Sequence, residues 1–246
     1  MKVAAIIPAR LQASRFDRKL LRDLCGKPVI LRTLEAVEKT DLFDEVIVAT
    51  DSDEIYQVVV DSGSRAFKSI EDHDCGSNRI AEVAATIDAD IVINVQGDEP
   101  FTNSSDLEKL IAVFRKDTAG LISLASLKHQ IKSDEDVSNP NNVKVITDQY
   151  DNAIYFSRSP IPFVRDKSIN LPIFKHVGIY AFRKAALLEF YHSQPTPLEL
   201  TEKIECIRYL EQGKKIKMVR TENASIGIDT AGDLEDARVL WKELYS

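Results

Sequence analysis

Residues 91–100 read Ile-Val-Ile-Asn-Val-Gln-Gly-Asp-Glu-Pro, and the first half of that stretch decides the fold. Ile91–Val95 is short, β-branched and nearly continuous in its apolar character, the pattern of a strand buried on both faces. Working outward, Gly76–Ile87 places Ile80, Ala84 and Ile87 on one helical face, and Ser104 to about Arg115 does the same with Leu107, Leu110, Ile111 and Phe114. Two more buried strands precede these, Val3–Pro8 and Glu45–Thr50, with helical spacing over Pro28–Thr40 and Asp53–Asp61 between them. Apolar strands alternating with amphipathic helices predict a parallel sheet covered on both faces, a Rossmann-like α/β architecture.

From Leu121 the pattern changes. Strands are expected at Leu121–Leu127, Val143–Thr147, Ala153–Ser157 and Val177–Phe182, separated by polar, proline-containing loops that suit antiparallel additions. Helices follow at Lys184–His192 and about Leu200–Gln212, then a strand at Ile216–Val219 and a helix at Ala231–Tyr245. On the 200–212 helix, Glu202, Glu205, Cys206 and Tyr209 share a polar face, with Leu200, Ile204 and Ile207 opposite, towards the core. The 246 residues read as one α/β domain with an inserted hairpin region over roughly 125–175, and no repeat or low-complexity segment.

Bulk composition narrows the function. Hydrophobic residues make up 44% and charged residues 29%, and the formal net charge is −7. An acidic chain argues against a general nucleic-acid or anionic-membrane binder. The five-residue apolar run Val3–Ile7 is too short for a signal-peptide core, and no stretch approaches the roughly 18 residues of a membrane span. Cys25, Cys75 and Cys206 offer neither a disulfide framework nor metal-ligand spacing, so a reducing cytoplasm is the expected location.

Ligands of open parallel sheets bind beyond the carboxyl ends of the strands. After the first strand, residues 10–27 hold six basic side chains against two acidic ones. Arg10, Arg15 and Lys19 in that loop suit a triphosphate, and a solvated basic loop is the plainer alternative. The phosphate-loop patterns GxxxxGK[ST] and GxGxxG are both absent from the sequence. After Ile91–Val95 comes Gln96-Gly97-Asp98-Glu99-Pro100, where Asp98 suits Mg²⁺ coordination or marks a turn. Near the C-terminus Gly227-Ile228-Asp229-Thr230 precedes the last helix, and Asp229 or Thr230 fits a helix cap as well as a metal ligand. The cluster from Asp72 to Arg79 opens a helix whose exposed N–H groups favour ligand oxygens. A fourth set comprises Arg158, Arg165, His176, Tyr180, Glu202, Glu205 and Cys206.

At these positions the chain resembles the 3-deoxy-manno-octulosonate (Kdo) cytidylyltransferases, also called CMP-Kdo synthetases. The likeness is carried by IIPAR…SR…K at 6–19, IVATD at 47–51, VQGDEP at 95–100, NPNNVKVI at 139–146, IYFSRSPIP at 154–162, HVGIYAFR at 176–183 and GIDT at 227–230. The resemblance implies a cytoplasmic homodimer that joins CTP to a 3-deoxy-2-keto sugar acid for lipopolysaccharide synthesis, with Mg²⁺ as cofactor. It further implies that Arg10, Arg15 and Lys19 hold the triphosphate, that Asp98 and Asp229 hold Mg²⁺, and that Cys75, Gly76, Ser77, Arg79 and Gln96 read the nucleotide. Gln96, Arg158, Arg165, His176, Tyr180, Glu205 and Cys206 would face the sugar acid.

The chain departs from the family pattern at the site itself. A loop usually like SxRLPGKPL here runs Ser14-Arg15-Phe16-Asp17-Arg18-Lys19-Leu20-Leu21, without the glycine or the prolines. A turn usually like SGTER is Cys75-Gly76-Ser77-Asn78-Arg79, and a Glu-Gln pair is Glu205-Cys206. Drift in an active enzyme, a modified acid such as 8-amino-Kdo, and a nucleotide-binding paralogue with little turnover are the three readings of these changes.

Overall fold

The computed structural model describes residues 1–11, 16–70, 73, 76–223 and 227–245. In chain order its first elements are β1 (Val3–Ala9), β2 (Asp23–Leu24), β3 (Lys27–Pro28), α1 (Val29–Glu38), β4 (Glu45–Thr50), α2 (Asp53–Asp61), β5 (Ala66–Lys68), α3 (Gly76–Thr86), β6 (Ile91–Asn94) and α4 (Ser104–Lys116). They continue with β7 (Ile122–Gln130), α5 (Asp134–Ser138), β8 (Lys144–Thr147), β9 (Ala153–Ser157), β10 (Phe174–Arg183), α6 (Lys184–His192), α7 (Pro197–Glu202), α8 (Ile207–Glu211), β11 (Lys215–Thr221) and α9 (Ala231–Tyr245). The chain divides into two compact units, Met1–Leu107 with Ser225–Ser246, and Glu108–Ala224.

In the first unit β6, β1, β4 and β5 lie side by side, all parallel, with Ile6 opposite Ile47 on one edge and Asn94 on the other. β1 explains why: Val3, Ala4, Ala5, Ile6, Ile7 and Ala9 are all buried, so both faces of the strand need cover. α1 supplies some of it through Val29, Ile30, Thr33, Leu34 and Val37, one apolar stripe at helical spacing. Each such aliphatic side chain contributes roughly 1.5–3 kcal/mol by leaving water. α2 begins at Ser52, whose side chain accepts the N–H of Ile55, and carries Asp53 and Glu54 in its first turn, where helix N-termini favour negative charge. The single tryptophan, Trp241 of α9, packs its ring 5.9 Å from Phe101 and under the Arg32 guanidinium at 4.3 Å.

In the second unit β10 runs antiparallel to β7 and β8, β8 antiparallel to β9, and β11 parallel to β7. The hairpin region expected over 125–175 lies wholly within this unit. The mostly parallel sheet and the antiparallel additions are therefore as the hydrophobic pattern predicts.

Two local expectations fail. The helix expected over 200–212 is two short helices, α7 and α8, because Lys203 adopts a left-handed backbone conformation (φ 55°) and ends the first. With the helix broken, its faces are not those of a continuous 3.6 period. Ile204 and Ile207 are buried as expected, but Cys206 and Tyr209 are each 2% exposed while Leu200 is half exposed, against the face assigned to them. Tyr209 instead stacks on Phe190 at 5.1 Å, and the buried Arg208 guanidinium pairs with Glu199 (2.5 and 2.7 Å) above the same ring at 3.8 Å. The two-residue strands β2 and β3 and the short α5 are too brief for periodicity to reveal.

Candidate active site

The candidate residues of the first unit gather where β1, β4 and β6 end. Beyond β6 the backbone passes Gly97, where an added Cβ would lie 3.0 Å from the Pro8 carbonyl oxygen and 3.3 and 3.4 Å from the Ile30 and Leu20 side chains. Only glycine fits there without displacement of backbone. The Gly97 carbonyl accepts the Thr33 hydroxyl at 2.9 Å, a buried bond that anchors the turn to α1. Asp98 follows, and its carbonyl accepts the N–H of Ile228 at 3.0 Å. That bond brings Gly227-Ile228-Asp229 alongside Gln96-Gly97-Asp98.

Lys19 meets both carboxylates. Its ammonium donates to Asp229 at 2.8 Å and also to Asp98. Burial works to strip its proton, but the paired carboxylates outweigh that and raise its pKa, so it stays charged. The start of α9 poses the choice between cap and ligand for Asp229, and here Thr230 and Asp233 take the cap. Asp233 Oδ2 accepts the N–H groups of Asp229 (3.0 Å) and Thr230 (2.7 Å), and Thr230 Oγ1 accepts the N–H of Asp233 at 3.2 Å. The Asp229 carboxylate, three-fifths exposed, is left for Lys19.

Arg10, Lys19, Gly76, Gln96 and Asp98 line a cavity of about 230 Å³ together with Pro8, Leu20 and Gly97. Arg10 donates to the His73 carbonyl at 2.8 Å. His73 is held in turn by Glu82 at 2.7 Å, which also accepts from Ser69 at 2.6 Å. Ser77 is buried, and Arg79 is wholly buried with one nitrogen on Asp51 at 2.6 Å. Two other guanidinium nitrogens of Arg79, and the side-chain oxygen of Asn78, have no hydrogen-bond partner among the described residues. Arg15 and Cys75 lie outside the described residues. Phe16 stays packed under the Arg22 guanidinium at 5.3 Å, and Arg18, where the family pattern has glycine, takes a left-handed φ of 55°.

The second unit holds the remaining candidates. His176 and Tyr180 on β10 have ring centroids 5.2 Å apart, with Phe156 edge-on to His176 at the same distance. Burial lowers the His176 pKa to about 4 and pushes that of the Tyr180 phenol well up, so both rings are neutral near pH 7. Arg158 is tied to three backbone carbonyls, those of Glu202 (2.7 Å), Pro140 (3.0 Å) and Lys203 (3.3 Å). Its own N–H donates to the Glu202 carboxylate at 2.9 Å. Beneath it the wholly buried Lys144 donates to the carbonyls of Asn139 (3.1 Å), Asn142 (2.7 Å) and Arg158. Glu205 is half-buried beside Cys206, whose thiol burial pushes to a higher pKa and so keeps protonated. Arg165 is exposed. A larger cavity of about 650 Å³, between α4, β7 and β11, carries none of the candidate residues.

Asp51, Asp233, Lys144 and Glu82 escape the sequence reading. Lys144 and Asp51 stand inside the quoted motifs NPNNVKVI and IVATD, and the offset of three between Thr230 and Asp233 is the signal for the cap.

Asp98 and Asp229 converge closely enough for one cationic group to touch both, and they are carboxylates, the ligands Mg²⁺ favours. No group of three or more His, Cys, Asp or Glu suited to a metal occurs among the described residues. A two-carboxylate site completed by substrate oxygens is the kind these residues fit.

Comparison with known proteins shows the family. Residues 4–216 match the cytidylyltransferase family model. A 3-deoxy-manno-octulosonate cytidylyltransferase of Christiangramia forsetii is 56% identical over 239 residues, covering 97% of this chain and 96% of the relative. One from Flavobacterium johnsoniae is 53% identical, covering 99% and 100%. The solved structure of a CMP:2-keto-3-deoxy-manno-octonic acid synthetase complexed with CTP superposes with a TM-score of 0.93 at 36% identity, covering 99% of this chain and 100% of that one.

Proposed function

The chain belongs to the 3-deoxy-manno-octulosonate cytidylyltransferases, and we propose that it joins CTP to Kdo, or a close 3-deoxy-2-keto sugar acid, to give the CMP-sugar and pyrophosphate. The observation that carries this reading is the meeting of Lys19, Asp98 and Asp229 at the ends of the parallel strands. In the reaction the anomeric hydroxyl of the acid attacks the α-phosphorus of CTP, the new P–O bond forms, and the bond to the β-phosphate oxygen breaks.

Arg10 and Lys19 offset charge on the triphosphate and on the departing pyrophosphate, with Arg15 of the same loop assigned to that task. Gly76 and Gln96, which line the cavity, would meet the nucleotide, and the buried Ser77 and Arg79 would act through packing; the resemblance assigns Cys75 to the same side. Asp98 and Asp229 would hold Mg²⁺. When bound, the ion supplies Lewis-acid stabilisation of a phosphoryl oxygen. Arg158, His176, Tyr180 and Glu205 would orient the acid, so that catalysis is chiefly positioning and electrostatics. Cys206, assigned to the acid through the resemblance, would act through packing, since its side chain is buried. Arg165 would reach the acid from an exposed position.

We place the enzyme in the cytoplasm as a homodimer serving lipopolysaccharide synthesis. Among the described residues no helix is long and apolar enough to cross a membrane.

The test is pyrophosphate release with Mg²⁺ across CTP, UTP and ATP and across Kdo and an amino-substituted relative. Release that depends on CTP and on one of the acids is expected. Equal release with every nucleotide would overturn the assignment of CTP, and none with any acid would return the chain to a nucleotide-binding role.

A further inference from the structure

β10 carries an irregularity between Val177 and Tyr180 that shifts its register against β7. At that point the carbonyls of Val177 and Ile179 face a side chain. Ser126 Oγ, on β7, lies 3.1 Å from the Val177 oxygen and 2.7 Å from the Ile179 oxygen. The same Oγ lies 2.8 Å from His176 Nε2. Ser126 is 1% exposed, so water is not an available partner.

Counting protons fixes the direction of these bonds. A serine hydroxyl has one hydrogen and accepts through its lone pairs, while a carbonyl oxygen only accepts. If the hydroxyl hydrogen pointed at Nε2, two carbonyl oxygens would face Oγ with no proton between them, one at 2.7 Å. Such an approach is attractive only as O–H···O. The hydrogen therefore lies toward a carbonyl, and Nε2 must bring its own. A neutral imidazole has one N–H, so Nδ1 is left with a lone pair. Among the described residues Nδ1 has no hydrogen-bond partner, and the rings of Phe156 and Tyr180 hold the imidazole from two sides.

We infer that Ser126 is a positioning residue which locks His176 in the Nε2–H tautomer, so that Nδ1 accepts a hydrogen bond from a hydroxyl of the sugar acid. The part that concerns the sugar acid rests on the function proposed above; the tautomer does not. The opposite tautomer would make His176 a donor suited to the acid's carboxylate. Ser126 thereby assigns His176 to hydroxyl recognition and leaves the carboxylate to cationic groups. The ring stays neutral in this role, in keeping with its low pKa.

The ¹⁵N shifts of the histidine rings in the full-length protein read the tautomer directly, with His176→Gln to assign the signal. The expected result is a protonated Nε2 and a bare Nδ1 at His176; a protonated Nδ1 overturns the inference. Steady-state kinetics read the consequence. Ser126→Ala should raise the KM for the sugar acid roughly tenfold, about the worth of one hydrogen bond, with the KM for CTP unchanged, and Ser126→Thr should restore it. A purely structural serine would lower the melting temperature and leave that KM ratio alone, which also overturns the inference. Should Ser126→Ala fail to fold, the wild-type ¹⁵N spectrum still decides. Absence of turnover in the wild-type enzyme would count against the proposed function and leave the tautomer result standing.

Discussion

The Lys19 ammonium donates to the Asp229 carboxylate at 2.8 Å across 210 positions of the sequence, and to Asp98 as well. A cation thus sits between two carboxylates that would otherwise repel. Asp98→Ala and Asp229→Ala should each lower turnover by at least about a hundredfold, the scale of losing one charge-stabilising group. Circular dichroism and the melting curve should stay close to wild type. An Asp229→Ala variant with near-normal kcat would remove that residue from the chemistry.

Asp233 makes the contrasting case, since it caps α9 and feels Lys19 only as a nearby charge. Asp233→Ala should cost about 1 kcal/mol, the worth of a helix cap, with most activity retained. Burial opposes ionisation of Asp233, yet the Thr230 hydroxyl and two backbone N–H groups lower its pKa. Its stabilisation is therefore present above the ordinary carboxylate range and is lost as pH falls through the depressed value. Denaturant midpoints of the two proteins should converge in acid.

Arg18 stands in left-handed backbone space where the family pattern has glycine. The strain costs an L-residue about 1 kcal/mol. Arg18→Gly removes it, at the loss of an exposed ion pair with Glu54 whose worth is small. Thermal unfolding should shift upward by a few degrees; a downward shift would show that the Glu54 contact outweighs the strain.

Lys144 saturates its three N–H donors on three carbonyls, one of them that of Arg158. Lys144→Met keeps the length and leaves three part-buried acceptors without their donor, a loss on the order of 3 kcal/mol. Burial lowers the Lys144 pKa, with the Arg158 charge adding to the effect. Urea unfolding checks the stability loss. The KM for the sugar acid should also rise where the variant folds, because the Arg158 backbone loses its support.

His176 has its pKa depressed to about 4 from the ordinary 6.5, through burial. Between those values the unfolded chain binds a proton that the folded chain refuses. Stability is complete above pH 6.5 and falls as pH drops toward 4. Urea midpoints measured across that window should decline less steeply for His176→Asn than for wild type.

How much of this was legible depends on the length of the signal. Ile91–Val95 and Glu45–Thr50 announce buried parallel strands because every side chain is constrained, and they fold as such. The 200–212 segment misleads because a single left-handed residue, Lys203, resets the helical phase, and a lysine gives no hint of that conformation. At the site, the tips of strands point to Arg10 and Asp98, but nothing local tells Asp229 from a cap. That distinction needs Asp233, three residues beyond Thr230, and Lys19, far away in the chain. Ser126 leaves no trace at all, since its role arises from a register shift in another strand.

The packing of Trp241 has a practical side. As the chain's one indole, fixed beside Phe101 and the Arg32 guanidinium, it reports on the first unit alone. Of the seven tyrosines, Tyr150, Tyr155, Tyr180, Tyr191 and Tyr209 belong to the second. Emission excited selectively at the indole, followed against far-ultraviolet ellipticity, therefore gives two optical clocks in one unlabelled protein. Coincident transitions would mean that both units melt as a single cooperative body, and separated ones that one unit can open while the other holds.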